Sequence, residues 1–200
     1  MADIYESYAD LLSHGFRENE HFTVEVIFRD SKYAIVAPHG GSIEAGTTEI
    51  AKAVAGASHT FYSFTGNMEW GNTVLHVTSD RFKEARVIIA AKRARTVVTI
   101  HGRDGDEEVA YIGGLDEELK LKLKAAFQAE GISTEDDTEL KGERPENICN
   151  RGKSGKGVQL ELARGLRSKL FQGLDKEGRE HPIEEEFNKL VRAIKNALEE

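Results

Sequence analysis

Short apolar runs alternate with longer amphipathic segments along most of this chain. Residues 21–28, 33–37, 60–64, 73–77, 96–100, 108–114 and 158–162 carry the β-branched and aromatic residues of strands. Residues 4–14, 49–57, 116–130, 163–171 and 182–198 repeat apolar positions at helical spacing, and Ser79 or Asp80 would cap a further helix running to about Arg93. Asp30 and Ser31 separate the first two runs so briefly that an antiparallel hairpin is the economical pairing. The polar, acidic stretch 132–146 reads as an exposed excursion. Strands alternating with helices predict an α/β fold. One domain is expected over residues 1–200, an open mixed sheet with helices on both faces, with a core at about 22–171 and a closing helix at about 182–198.

Two of the strand runs end in the same manner. Residues 33–37 are apolar throughout, the pattern of a strand covered on both faces, and Pro38-His39-Gly40-Gly41 follows. Pro38 has no N–H for a ladder and the glycines permit unusual backbone angles, so a tight loop presenting His39 is expected. Residues 96–100 end in His101-Gly102. Sites in open α/β sheets lie beyond the carboxyl ends of the strands, so His39 and His101 are expected to converge. Glu44 follows as His-x-x-x-x-Glu, close enough to reach the same metal ion. A neutral imidazole and a carboxylate are two of the three ligands a catalytic zinc commonly takes. A glycine-rich turn with an exposed histidine and a helix-starting glutamate has the same local sequence. His76 rivals His101 as third ligand, but it lies inside its run whereas His101 ends one. His14, His21, His59 and His181 sit among polar or helical residues and receive no catalytic part.

Composition narrows the function classes. With 39% hydrophobic and 31% charged residues in a chain of 200, the make-up is globular, and no apolar run approaches the roughly 20 residues of a membrane helix. Asp3 and Glu6 stand where a signal peptide would be basic, so a soluble protein made in the cytoplasm, without an export signal or a membrane partner, is expected. A net charge of −8 argues against a nucleic-acid partner, and a monomer is the default. Cys149 is the sole cysteine, so any metal must be held by His, Asp and Glu.

One segment runs against the acidic background. In Asn150-Arg151-Gly152-Lys153-Ser154-Gly155-Lys156-Gly157 glycines alternate with cations, and Asn150, Arg151, Lys153 and Lys156 are the candidate contacts for an anionic substrate. A mobile basic loop is the alternative. It is no nucleotide-binding loop, because Gly155-Lys156 is followed by glycine and a strand where Ser or Thr and a helix are required. On the next run Gln159 and Glu161 share one face. Glu161 is either a carboxylate at the rim of the sheet or a solvated residue of an edge strand. Taken together, His39, Glu44 and His101 would hold zinc. Glu161 would serve as general base to a metal-activated water and then as acid to the leaving amine, Arg151 would hold a substrate carboxylate, and His76 would add a substrate contact.

Five blocks in order carry a family resemblance: 37–51 (Ala-Pro-His-Gly-Gly-x-Ile-Glu-x-Gly-Thr-x-Glu-Ile-Ala), Leu75-His76-Val77-Thr78-Ser79, Ile100-His101-Gly102, Asn147-Ile148-Cys149-Asn150-Arg151-Gly152 and Gly157-Val158-Gln159-Leu160-Glu161-Leu162. Over about residues 34–167 the chain resembles the phage-associated poly-γ-glutamate hydrolases. The resemblance implies a zinc carboxypeptidase-like fold, zinc on His39, Glu44 and His101, and Glu161 as base. It also implies cleavage of γ-glutamyl amide bonds in the poly-γ-glutamate capsule of some Bacillus hosts, after release by lysis. Two rival readings stand beside it: a zinc amidohydrolase acting on a small N-acyl amino acid such as N-acylglutamate, and a non-catalytic binding module of the same fold.

Overall fold

The computed structural model describes residues 3–199. Among them seven strands form one mixed sheet: β1 (Phe22–Ile27), β2 (Tyr33–Gly41), β3 (Thr60–Gly66), β4 (Thr96–Arg103), β5 (Val109–Gly114), β6 (Ser133–Asp136) and β7 (Val158–Ala163), in the order β1-β3-β2-β4-β7-β5-β6. The central four, β3-β2-β4-β7, are parallel, while β1 runs against β3, and β5, with β6 parallel to it, runs against β7. Burial explains the order. Every residue of β2 and of β7 is buried, as suits strands covered on both faces, whereas β1, half-buried at most positions, and β6, largely exposed, take the edges.

Helices cover both faces. α1 (Tyr8–Ser13) and α3 (Ala85–Arg93) lie over one, packed on Val36, Phe64, Phe82 and Val97. α2 (Thr47–Ala55), α4 (Glu117–Ala129), α5 (Arg164–Leu170) and α7 (Glu184–Leu198) lie over the other, around Ile35, Ile100 and Leu160. The short α6 (Lys176–Arg179) links α5 to α7. Ile35 and Val36 enter opposite cores because successive side chains on a strand point to opposite faces. Among the described residues no helix is long and apolar enough to cross a membrane.

Four local expectations are corrected. β1 pairs antiparallel with β3 and makes no hairpin with β2, because the β2-α2-β3 crossover sets β3 beside β2 and leaves β1 only the outer edge. Residues 73–77 are no strand: Asn72–Leu75 is a 3-10 turn whose Leu75, like Val77, is buried as core without a strand partner. α3 starts at Ala85, capped by the Glu84 carboxylate accepting from the Arg86 and Val87 N–H groups, since Ser79 is engaged elsewhere. The excursion 132–146 contains β6, paired parallel with β5, and a buried Asp137.

The loop before β7 is held against backbone. A Cβ on Gly157 would lie 2.0 Å from the Cys149 carbonyl oxygen and 2.4 Å from that of Val97, neither able to withdraw as a flexible side chain would. Gly157→Ala is therefore expected to destabilise the chain by about 1–3 kcal/mol or more, the usual size of an overpacking strain, read by urea unfolding. Gly155→Ala, where φ is +69° but nothing lies within 4 Å, should cost less.

Candidate metal centre

Three parallel strands deliver the centre. The β2–β3 register shifts between Ala37 and Gly40, and Pro38 sits in this bulge, where its missing N–H costs no ladder bond. The strand thus runs on past Pro38 to Gly41, and the irregularity, rather than a loop, aims the buried His39. His101 on β4 stands directly across from Glu161 on β7, both buried. Glu44 follows β2 in a turn closed by its own N–H donating to the His39 carbonyl at 2.9 Å. One ligand atom each from His39, Glu44 and His101 lies within 4.8 Å of the others.

The hydrogen bonds behind these side chains fix which nitrogens face inward. His39 Nε2 lies 2.8 Å from the Val77 carbonyl, which can only accept, so Nε2 carries the proton. His101 Nε2 reaches Ser79 Oγ at 3.1 Å. Both Nδ1 atoms turn to Glu44: His39 Nδ1 is 2.9 Å from Oε1, and His101 Nδ1 is 3.5 Å from Oε2. The two Nδ1 atoms are 3.2 Å apart. Burial pushes His39 down to about 4, so at neutral pH its Nδ1 lone pair faces a carboxylate oxygen and a second imidazole nitrogen. A cation between the groups would satisfy all three at once. Ligand nitrogens about 2.0–2.1 Å from a tetrahedral ion lie roughly 3.3 Å apart, so the donor set fits a metal ion.

Glu44 is satisfied from several sides. Its Oε2 also accepts from the Gly102 N–H at 2.9 Å, and His76 Nε2 is 3.4 Å from Oε1. Burial works to raise this carboxyl, but the surrounding imidazoles hold it well below the usual carboxylate range. Burial likewise lowers His101 and His76, and carboxylates reverse the sign: Glu161 and Glu44 raise His101, Glu44 and Asp3 raise His76. For Glu161 burial itself prevails, pushing it up to about 7.

Sequence reasoning missed the residues that hold these in place. Gln159 donates to Glu161 Oε1 at 3.0 Å and to the Leu140 carbonyl at 2.9 Å, while accepting from Asn147 Nδ2 at 3.0 Å. The shared face of Gln159 and Glu161 on one strand was the available signal. Asp3 binds His76 Nδ1 at 2.6 Å and the Thr78 N–H at 2.9 Å, and His76 stacks on His39 with ring centroids 4.0 Å apart. Arg167 donates to three carbonyls, of Leu162, Ala45 and Arg103, at 3.0, 2.6 and 3.0 Å, and so ties together the ends of β7, the Glu44 turn and β4. Its guanidinium occupies the space a Cβ on Gly102 would need, 2.6 Å away. Neither contact has a short-range signature in sequence.

The centre floors a cleft of about 1600 Å³, walled by residues 76–81, 139–147 and the carboxyl ends of β4 and β7. His76 lies in it. Asn150, Arg151, Lys153 and Lys156 do not, and the expectation that they line the site is corrected. The Lys153 and Ser154 N–H groups bond the carbonyls of Ala94 and Arg95, just before β4 begins, so this loop sits at the amino ends of the strands. Asn150 is buried, its amide donating to the Gly142 and Arg144 carbonyls of the cleft wall. The cations that do line the cleft are Arg81, Arg103, Lys141, Arg144, Arg164 and Arg167.

The profile of the poly-gamma-glutamate hydrolase family matches residues 5–193. The chain belongs to that family. Its relatives include YmaC of Bacillus subtilis, 33% identical over 174 residues, 86% of this chain and 74% of YmaC. The structure of a bacteriophage poly-gamma-glutamate hydrolase superposes with a TM-score of 0.93 at 32% identity, over 98% of this chain and 96% of that one. The zinc-free apo structure of YndL gives 0.92 at 27% identity, over 98% of both chains. The poly-γ-glutamate hydrolase fold is thus present over nearly the whole chain, with its strand ends carrying the His39-Glu44-His101 cluster.

Replacing Arg167 by Met in this hydrolase fold would strand three carbonyl groups beside the cleft. Since an unsatisfied buried polar group costs about 1–3 kcal/mol, Arg167→Met is expected to lose at least about 2 kcal/mol in urea unfolding. It should also weaken divalent-metal binding in a titration, because the Glu44 turn loses its anchor.

Proposed function

We propose that this chain is a zinc-dependent hydrolase of γ-glutamyl amide bonds in poly-γ-glutamate. The observation that carries the reading is the inward convergence of His39 Nδ1, Glu44 and His101 Nδ1, each held from behind, in a chain of this family. The existence of a zinc-free apo form of YndL supports zinc as the ion. Zinc bound there would supply Lewis-acid polarisation of the scissile carbonyl and of the attacking water.

The chain's own groups do the rest. Glu161, beside His101 at 4.0 Å, accepts the water's proton and returns it to the departing amine. Gln159 holds the Glu161 carboxylate in one orientation. His76, held by Asp3 through Nδ1, lines the cleft on the His39 side with Nε2 3.4 Å from Glu44 Oε1, and with Glu44 engaged by the ion it would turn that N–H to the carbonyl oxygen of the substrate as negative charge grows there. Arg81 and Arg164, exposed on the wall and without a carboxylate partner among the described residues, counter the α-carboxylates that every unit of the polymer carries. They take the part first expected of Arg151. The cleft volume favours a chain-like substrate over a small N-acyl amino acid, whose sites commonly span about 300–1,000 Å³.

The test is purified protein, its metal content measured, given poly-γ-glutamate and N-acylglutamate side by side. Polymer cleavage dependent on zinc supports the reading, while turnover of the small amide alone overturns it. Glu161→Gln should keep zinc and lose at least about 10²-fold in turnover, the usual size of a general acid–base contribution. His101→Ala should lose zinc itself. Acidification protonates Glu161, so kcat/KM should fall on the acid side. The midpoint should lie at or below about 7, since a bound cation lowers the carboxyl from there.

A further inference from the structure

The basic loop that the cleft does not use has neighbours of its own sign. The Lys153 and Ser154 N–H groups bond the carbonyls of Ala94 and Arg95, at 3.0 and 2.9 Å, and the Arg95 N–H in turn bonds the Lys32 carbonyl at 2.8 Å. Three separate segments are thereby stitched side by side, and they carry Lys32, Arg93, Arg95, Arg151, Lys153 and Lys156. All but Arg151 are exposed, and Arg151 is half-buried. Among the described residues Arg93, Arg95, Arg151 and Lys153 have no carboxylate partner, Arg93 instead lying over the Phe28 ring at 5.0 Å. Lys156 is 3.8 Å from Asp116, and Glu118, which feels Lys156 and Lys32, bounds the patch on the α4 side.

The loop is also rigid. Besides the two bonds to 94 and 95, Gly155 N–H closes on the Gly152 carbonyl, Gly157 N–H on Asn150 Oδ1, and Ser154 Oγ on the Lys156 carbonyl at 2.6 Å. A Cβ on Gly152 would lie 2.6 Å from the Arg95 carbonyl oxygen, so glycine lets the loop press directly onto the β4 entrance. The backbone that carries these cations is thus ordered before an anion is met, which leaves only side-chain freedom to be lost on binding. In a chain of net charge −8, Arg93, Arg95, Arg151 and Lys153, gathered on one end of the sheet without a carboxylate partner among the described residues, define an anion-binding surface.

We propose that this patch at the amino ends of the central strands is a second binding site for the polyanionic substrate, remote from the cleft. The proposal rests on the poly-γ-glutamate reading for its ligand. Seven residues of extended backbone separate Ala94 from His101, so patch and metal centre are roughly 20 Å apart at about 3.3 Å per residue. A long polymer bridges that distance and a short oligomer does not. Holding one stretch of the polymer on the patch raises the effective concentration of neighbouring bonds at the cleft without any new contact there.

The experiment compares wild type with Arg95→Gln/Lys153→Gln/Lys156→Gln, three exposed positions, and with a charge-keeping control, Arg95→Lys/Lys153→Arg/Lys156→Arg. The readouts are KM and kcat on long poly-γ-glutamate and on a short γ-glutamyl oligomer, and direct binding of labelled long polymer to each protein carrying Glu161→Gln. The neutral triple variant should show KM on polymer raised at least ~5-fold, with kcat and the oligomer kinetics unchanged and with weaker salt dependence of polymer binding, while the control behaves as wild type. Equal polymer KM and equal polymer binding in wild type and the neutral variant overturn the proposal. So does duplex DNA binding wild type more tightly than the polymer does and losing that binding in the neutral variant, which assigns the patch to nucleic acid. Should wild type cleave neither substrate, the function reading fails by itself, and polymer binding still decides the patch.

Discussion

A buried carboxylate persists in a protein only where its charge and lone pairs are matched, and Glu44 sets that condition for this fold. Its two oxygens are met by His39, His76 and His101 and by the Gly102 N–H. Each of these contacts constrains something larger. His39 reaches it through the bulge in β2, and His101 and the Gly102 N–H through the register of β4. Arg167 then fills the space beside Gly102 and ties the Glu44 turn to the ends of both neighbouring strands. A metal ion placed among the inward nitrogens would complete what the protein groups leave unbalanced, since lone pairs of a neutral imidazole and a carboxylate 2.9 Å apart repel unless a proton or a cation lies between them.

The partners that orient the histidines come from chain without regular structure, for a physical reason. A carbonyl in a strand ladder is already engaged, whereas residues 76–81 form neither helix nor sheet and have groups to spare. Val77 gives its carbonyl to His39 and Ser79 its hydroxyl to His101. Asp3, 73 residues before His76 in the chain, holds His76 and the Thr78 N–H, so the irregular segment is itself pinned. Placing such groups on a loop while burying their apolar neighbours Leu75, Val77 and Phe82 gives precision without a strand.

This division also decides what could be read from the sequence. An apolar strand that ends in histidine is a local pattern, and His39 and His101 could be paired because the carboxyl-end rule concerns strand direction alone. The pattern at residues 73–77 failed because apolar alternation reports burial and not a backbone partner; Leu75 and Val77 are buried, but in a turn. Ser79 looked like a helix cap because short hydroxyl side chains serve equally well as caps and as imidazole partners. The hairpin expected of β1 and β2 failed because strand order depends on the crossover that follows, which lies later in the chain than the pair itself. Glu161, read as either a rim residue or an edge one, was ambiguous because five residues of alternating type do not say how many strands lie beyond them.

The misassigned basic loop teaches the most about charge. Arg151, Lys153 and Lys156 were drawn to the site by sign and by nearness to Glu161 in sequence, yet β7 runs its length between them and the metal centre. In a parallel sheet the residues before a strand and those at its end lie on opposite edges, so proximity in sequence across a strand means separation in space. The cations that line the cleft come from other segments: Arg81 from the irregular wall, Arg103 from the end of β4, Arg164 and Arg167 from α5. These stand among acidic neighbours such as Asp80, Asp104 and Glu139, so their field is short-ranged and directs a substrate locally. The cations at the amino ends, with few carboxylates among them, project further into solvent. An acidic protein that handled a polyanion would have to overcome its own repulsion somewhere, and separating a mixed-sign cleft from a mainly basic patch would do so without placing excess positive charge beside the His39-Glu44-His101 cluster.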